Sequence, residues 1–225
     1  MSNYTSLKVQ CEKIGWPLHI MYANYLGSKK WSDRQSSSLN PEEVVAGRFS
    51  AEGQICSWCE GGSFNLLMKA ASLDVLAKRN FFNDRTDAIR RYFEAQCTIL
   101  KDFESELLDS IRNVSRDRLN QNIVEVCADP FIQEAYPRVS QDFLFVLANV
   151  VETDFLAQVA AVFMKNPYDY RSGWPDITVV EAKGISFVEV KTTDQFHSSQ
   201  LRFANEVANP LGFACCTVQL KPALE

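Results

Sequence analysis

The chain has 225 residues, of which 46% are hydrophobic, 23% charged and 12% aromatic. This composition is typical of a globular protein with a substantial core, and it excludes a disordered or fibrous chain. The formal net charge is −5. That balance excludes a protein that binds nucleic acid through overall positive charge alone, although it allows a local basic surface.

No segment of the sequence approaches the roughly 18 consecutive apolar residues of a membrane-spanning helix. The first 13 residues lack the basic and apolar segments of a secretion signal. The seven cysteines are scattered and odd in number, which indicates reduced thiols rather than a disulfide framework. We therefore expect a cytoplasmic protein with no membrane partner.

Three regions follow one another along the chain. Residues 1–40 are predicted to be an N-terminal appendage that ends in a serine-rich loop. From residue 42 to about residue 164, apolar residues recur mainly at spacings of three and four, which predicts helices. After residue 164 the sequence predicts strands at 177–180, 185–191 and 212–220, with a helix between the last two.

The order strand, strand, helix, strand predicts a hairpin followed by a parallel β-α-β unit. We therefore expect an α/β fold whose mixed β-sheet carries the functional residues, with a helical N-terminal portion.

The predicted hairpin brings charged side chains together. If its turn lies at residues 181–184, Asp176 faces Glu189, and because side chains alternate along a strand, Lys191 shares the face of Glu189. One lysine does not compensate two facing carboxylates, so a divalent cation is the expected partner. Carboxylate, carbonyl and water oxygens suit Mg²⁺ or Mn²⁺, whereas a chain with two histidines does not favour a histidine-rich zinc or iron site.

The same residues form a recognisable pattern. The sequence Gly-Trp-Pro-Asp at 173–176, then Glu-Val-Lys at 189–191, then Gln200 resembles the G-x-P-D, E-V-K and downstream glutamine of the VRR-NUC family of PD-(D/E)xK nucleases. The resemblance covers about residues 171–220. It implies a restriction-endonuclease-like core within a nuclease domain at 41–225, interrupted by a helical insertion at about 80–165.

The resemblance also implies roles for individual residues. Asp176, Glu189 and the carbonyl of Val190 would be metal ligands for Mg²⁺ or Mn²⁺. Lys191 would be the catalytic lysine, and Gln200 would lie near it in the first turn of the crossover helix.

Nucleases of this family also use a glutamate from a helix that precedes the sheet. The segment around Glu52 resembles the corresponding segment of the Fanconi-associated nuclease subgroup, and we expect Glu52 to open a helix and serve as a catalytic metal ligand. Glu152, which precedes Asp176 by 24 residues, is the alternative.

The resemblance implies a structure-selective DNA nuclease that hydrolyses phosphodiester bonds in DNA repair, in the cytoplasm, the nucleoid or the nucleus. The helical insertion favours the subgroup of monomeric enzymes that act on 5′ flaps. A homodimeric nuclease that resembles Holliday-junction resolvases, a catalytically silent nucleic-acid-binding module and a nuclease that acts on RNA are the alternatives. The expected contacts to the DNA backbone are Arg171, Lys183, His197 and Arg202.

Overall fold

The computed structural model describes residues 6–32, 38–82, 84–181 and 184–223. The chain divides into two compact units. The first comprises Met1–Glu60 together with Gly173–Glu225, and the second comprises Gly61–Ser172.

The first unit is the α/β unit. Its elements in chain order are α1 (Leu7–Ile14), β1 (Leu18–Gly27), β2 (Lys30–Ser32), α2 (Pro41–Ala51), β3 (Ile55–Trp58), β4 (Ile177–Glu181), β5 (Gly184–Lys191), α12 (Ser198–Phe203, continued by a π-helical turn at Ala204–Ala208) and β6 (Ala214–Pro222). Between β3 and β4 the described residues of the sequence form nine further helices, α3 to α11.

The strands form one mixed sheet in the order β2-β1-β6-β5-β4-β3. β4 and β5 are antiparallel with Ile177 opposite Val188, which is the register that places position 176 opposite position 189. β5 and β6 are parallel and are connected through α12. The predicted hairpin, the crossover helix and the mixed sheet are therefore confirmed.

The two faces of the sheet carry different side chains. On one face, β-branched residues of β4, β5 and β6 pack against Val45 and Ala46 of α2 and form a buried aliphatic core. Each such side chain contributes about 1.5–3 kcal/mol when it is fully buried. On the other side of β5, Phe187 contacts the rings of Trp174 and Phe213.

Helices are the only regular secondary structure among the described residues of the second unit. Its helices are α3 (Gly62–Arg79), α4 (Arg85–Ile89), α5 (Phe93–Ile99), α6 (Glu104–Asn113), α7 (Arg116–Ala128), α8 (Pro130–Ala135), α9 (Gln141–Val150), α10 (Thr153–Lys165) and α11 (Pro167–Tyr170), with a 3-10 turn at Lys101–Phe103. α3 is buried over most of its length. Within it, Lys69 is buried and donates hydrogen bonds to the carbonyl oxygens of Ala88 and Arg91 and to Gln96 Oε1.

The structure differs from the sequence-based expectations in three places. The sequence predicts an appendage at residues 1–40, but β1 pairs in parallel with β6 and therefore belongs to the sheet. β3 is not predicted, because its four residues lie inside a segment with helical spacing. The helical unit spans 61–172, so it begins well before the predicted boundary near residue 80.

None of the described helices combines, by itself, the length and the apolar composition that a membrane-spanning helix needs. The consecutive helices α9 and α10, bent by 107°, reach that length and hydropathy only when they are taken together.

Candidate functional site

Asp176 lies at the end of the Gly-Trp-Pro-Asp segment, immediately before β4. Its Oδ2 atom accepts a hydrogen bond of 2.7 Å from the backbone N–H of Val190 in β5. The donor, Val190, lies in β5 between Glu189 and Lys191. The bond therefore ties the Asp176 carboxylate to the neighbouring strand of the hairpin. The backbone of Val190 therefore holds Asp176 beside the second and third residues of the motif.

Glu189 and Lys191 share one face of β5, as the alternation of side chains predicts. Lys191 Nζ lies 2.8 Å from Glu189 Oε1, and both side chains are almost fully buried. Gln200 of α12 connects the two, since its Nε2 donates to Glu189 Oε1 at 2.6 Å while its Oε1 accepts from Lys191 Nζ at 2.9 Å. The first turn of the crossover helix is thus hydrogen-bonded to the charged pair.

Burial makes the ionised forms of both carboxylates costly. Burial, followed by the charges of Glu42 and Glu60, raises the pKa of Asp176 to about 7, although the Val190 N–H opposes this shift. Burial and the nearby Asp176 carboxylate raise the pKa of Glu189 to about 8. The raised pKa values show that the surrounding residues supply too little positive charge to stabilise both carboxylates in their ionised forms.

Lys191 is the one cation in contact with Glu189 among the described residues. Burial acts to lower the pKa of Lys191, but the Glu189 carboxylate, with Asp194 and Asp176, outweighs burial and raises it. The ammonium group therefore keeps its proton, and it can donate hydrogen bonds and offset negative charge on a bound anion.

The backbone of α12 lies very close to the backbone of the Gly-Trp-Pro-Asp segment. Gly173 has a φ of +89°, and a Cβ atom at this position would lie 2.2 Å from the carbonyl oxygen of Ser199. No side chain fits there. The glycine of the motif thus allows the first turn of α12, which carries Gln200, to lie next to the residues that precede Asp176.

The structure does not place Glu52 where the sequence predicts it. Glu52 does not open a helix, because α2 ends at Ala51 and the exposed Glu52 caps its C-terminal end. Glu42 lies in the first turn of α2 and is one of the charges that raise the pKa of Asp176. Ten residues of helix separate the backbones of Glu42 and Glu52 by about 15 Å.

A local sequence signal for Glu42 exists. Asn40 and Pro41 precede two glutamates, which is typical of a helix N-terminus, and the backbone N–H of Asn40 donates to Glu43 Oε2 at 2.7 Å. Acidic residues are common in first turns for reasons unrelated to catalysis, so the signal locates the helix and not the function. Glu152, the alternative, is exposed at the start of α10 in the helical unit.

The four predicted DNA contacts have different surroundings. His197 is exposed and precedes α12, and Arg202 lies partly buried within α12. Arg171 belongs to the helical unit, where its Nη1 lies 3.1 Å from Oε1 of the buried Glu94. Lys183 lies outside the described residues.

The donor set suits a hard divalent cation. Glu189 Oε2 is buried and accepts no hydrogen bond from the described residues, which leaves one carboxylate oxygen of the site without a partner. Within the described ranges, no group of three or more histidine, cysteine, aspartate or glutamate side chains is arranged as a metal site. Two carboxylates and a backbone carbonyl are typical of Mg²⁺, which keeps several of its waters.

The order α2, β3, β4, β5, α12, β6, with two acids and a lysine at the β4–β5 hairpin, defines a PD-(D/E)xK-like α/β fold. The chain is similar to two solved structures of paFAN1. One is paFAN1 bound to DNA with a gap and a 2-nucleotide 5′ flap, at 14% identity and a TM-score of 0.62 over 97% of this chain. The other contains a 1-nucleotide 5′ flap, at 15% identity and a TM-score of 0.62 over 96% of this chain.

In both comparisons the chain spans 42% of the length of paFAN1. No family model and no curated protein matches the sequence. The likeness therefore establishes the fold.

Proposed function

We propose that this chain is a nuclease that hydrolyses phosphodiester bonds of DNA with the help of Mg²⁺ or Mn²⁺, and that 5′ flaps are its preferred substrates. The observation that carries the proposal is the convergence of Asp176, Glu189 and Lys191 at the β4–β5 hairpin, with one half-buried carboxyl group, one buried carboxyl group and one buried ammonium group. The complexes of paFAN1, whose fold this chain shares, contain 5′-flap DNA.

Asp176, Glu189 and the Val190 carbonyl would hold the cation, and the first turn of α2 offers Glu42 rather than Glu52 as the further carboxylate. Such a cation, when bound, activates water and stabilises negative charge on a phosphate. Lys191 would donate a hydrogen bond to the phosphate under attack and offset its negative charge. Gln200 would hold the Lys191 ammonium and the Glu189 carboxylate in their relative positions through its two hydrogen bonds.

His197 and Arg202 would contact the DNA backbone near the site, and Arg171 and Lys183 would be further contacts. A protein with a net charge of −5 needs such local cations, because its overall field repels DNA.

The test is a cleavage assay with labelled single-stranded, duplex, 5′-flap, 3′-flap and four-way-junction DNAs, each with Mg²⁺, with Mn²⁺ and with a chelator. We expect metal-dependent cleavage of the 5′ flap and a loss of about 10²–10³-fold or more in Asp176→Asn and Lys191→Met. Glu181→Gln is the matched control because Glu181 lies exposed at the far end of β4. Cleavage by Asp176→Asn at the unsubstituted rate, or no cleavage of any DNA, would overturn the proposal. Paired symmetric cuts in the four-way junction would instead indicate a dimeric resolvase.

A further inference from the structure

A groove with a volume of about 450 Å³ lies in the α/β unit, beside the hairpin formed by β1 and β2. We call it the hairpin groove. The residues that matter for its chemistry are Tyr25, Lys29, Trp31, Thr192, Gln219 and Lys221. Its volume is within the roughly 300–1,000 Å³ of sites that bind small ligands.

The hairpin groove lies at the same end of β5 as the candidate catalytic site. Thr192, which lines the groove, is the residue after Lys191. Gln219 pairs with Lys191 in the parallel ladder, and its Nε2 donates to the carbonyl oxygen of Thr192 at 3.1 Å. The groove therefore begins at the end of β5 that carries Lys191.

The charge of the groove is opposite to that of the chain. Lys29 and Lys221 are both exposed, and neither forms a salt bridge with the described residues. The described residues that line the groove include no aspartate or glutamate. The groove is thus locally cationic on a protein with a net charge of −5, and it favours an anionic ligand.

The wall of the groove is aromatic and held in place by the hairpin. The rings of Tyr25 and Trp31 lie 4.9 Å apart, and Tyr25 is half exposed while Trp31 is buried. The backbone N–H of Lys29 donates to Tyr25 Oη at 3.4 Å. Ser28 and Lys29 have φ values of 49° and 60°, which are typical of a tight two-residue hairpin turn. The turn therefore fixes the lysine next to the aromatic ring.

We propose that the hairpin groove binds the single-stranded segment of DNA that adjoins the phosphodiester bond at the catalytic site. This inference rests on the proposed nuclease function and assigns the strand a path. Lys29 and Lys221 bind phosphates, and Tyr25 offers a ring face on which a base stacks. Alternation of cation and aromatic ring is the arrangement that recognises a nucleic acid strand without regard to its sequence.

The test is equilibrium binding of a fluorescently labelled single-stranded DNA, measured by anisotropy in a chelator so that no cleavage occurs. We expect Lys29→Ala/Lys221→Ala to raise the Kd about tenfold at near-physiological salt and to lower the salt dependence of log Kd by a slope of about 1.4. Tyr25→Ala should raise the Kd about fivefold or more, whereas Tyr25→Phe, which keeps the ring, should bind almost as the unsubstituted protein does.

The matched control is Lys8→Ala/Lys13→Ala. It removes the same charge from α1 of the same unit, and neither lysine lines the groove. We expect this variant to bind the strand within twofold of the unsubstituted protein. Equal losses of affinity in the two double variants would overturn the proposal for the hairpin groove, and so would an equal loss for blunt duplex DNA. Either result would show that the lysines act only through the general electrostatic field of the protein.

The two proposals fail in different ways. A protein that cleaves DNA and binds the single strand with the same affinity after Lys29→Ala/Lys221→Ala substitution has no strand site in the groove, while its nuclease function stands. A protein that neither binds the strand nor cleaves any DNA overturns both.

Discussion

Asp176 is a carboxyl group that burial keeps protonated until the pH rises to about 7, whereas its ordinary pKa is 3.8. Between these two values the folded protein binds a proton that the unfolded chain has released. The free energy of unfolding therefore falls as the pH rises through this window. The geometry that brings Asp176 to Glu189 is thus a cost to the metal-free fold at neutral pH.

This cost predicts that Asp176→Asn is more stable than the unsubstituted protein when both are free of metal. Asparagine keeps an oxygen that accepts from the Val190 N–H but carries no charge. We expect a gain of up to about 4 kcal/mol near pH 8 that disappears towards pH 4. Urea unfolding in a chelator across this pH range measures it.

Asp194→Asn is the control for that series. Burial acts to raise the pKa of Asp194, but Lys191 and backbone hydrogen bonds outweigh burial and lower it. Its substitution should therefore destabilise the protein at neutral pH. Stability curves for Asp176→Asn that run below those of the unsubstituted protein at pH 8 would contradict the electrostatic account of the site.

Residues of the motif are predictable from the sequence because a hairpin obeys a strict period of two. That period alone places Asp176 opposite Glu189 and Lys191 on the same face, and the pairing of β4 with β5 has this register. The position of Glu42 is not predictable in the same way. It depends on how α2 packs against the sheet, and no local pattern specifies that packing.

At the scale of elements, α12 determines whether Glu189 and Lys191 keep their geometry. Its first turn supplies Gln200, and Gly173 allows that turn to approach the backbone before Asp176. The helix is short, so tertiary contacts rather than helix propensity hold it in place.

Substitution of Gly173 by alanine should displace α12. Alanine at φ +89° is strained by about 1–2 kcal/mol, and its Cβ would also overlap the Ser199 carbonyl. We expect Gly173→Ala to lower kcat of DNA cleavage at least tenfold while KM changes less, since the hydrogen bonds of Gln200 to the site are lost. Steady-state cleavage of a 5′ flap measures both constants.

Gly53→Ala separates strain from displacement. Gly53 has a nearly equal φ of +84°, but a Cβ there meets no atom within 4 Å. It should lose a similar amount of stability from strain while it retains cleavage. Equal kcat values in the two variants would show that the close approach of Gly173 does not position α12.

Elements are predicted well where their pattern is long and wrongly where it is short or ambiguous. β5 and β6 carry continuous runs of strand-forming residues, and the sequence predicts both to within about two residues. β1 has an exposed, mixed pattern because it lies near the edge of the sheet, where only β2 lies beyond it. β3 has only four residues and lies between two helices.

At the scale of the whole molecule, the chain leaves the α/β unit after β3 and returns to it just before Asp176. The helical unit is therefore inserted between two strands that are neighbours in the sheet. Sequence patterns predict an insertion but not its start, because the helical spacing is continuous across residue 61. The pairing of β3 with β4 is a contact across more than one hundred residues, which local patterns do not encode.

The central claim is that Asp176 and Glu189 are held together to bind one divalent cation, and calorimetric titration of Mn²⁺ into the metal-free protein at pH 7 tests it most directly. The account predicts saturable binding to a single site with release of protons, because both carboxyl groups have raised pKa values in the metal-free state. It also predicts that Glu189→Gln removes this heat while Glu181→Gln retains it. An unsubstituted protein that gives no binding heat, or a Glu189→Gln variant that binds as tightly as the unsubstituted protein, would contradict the claim.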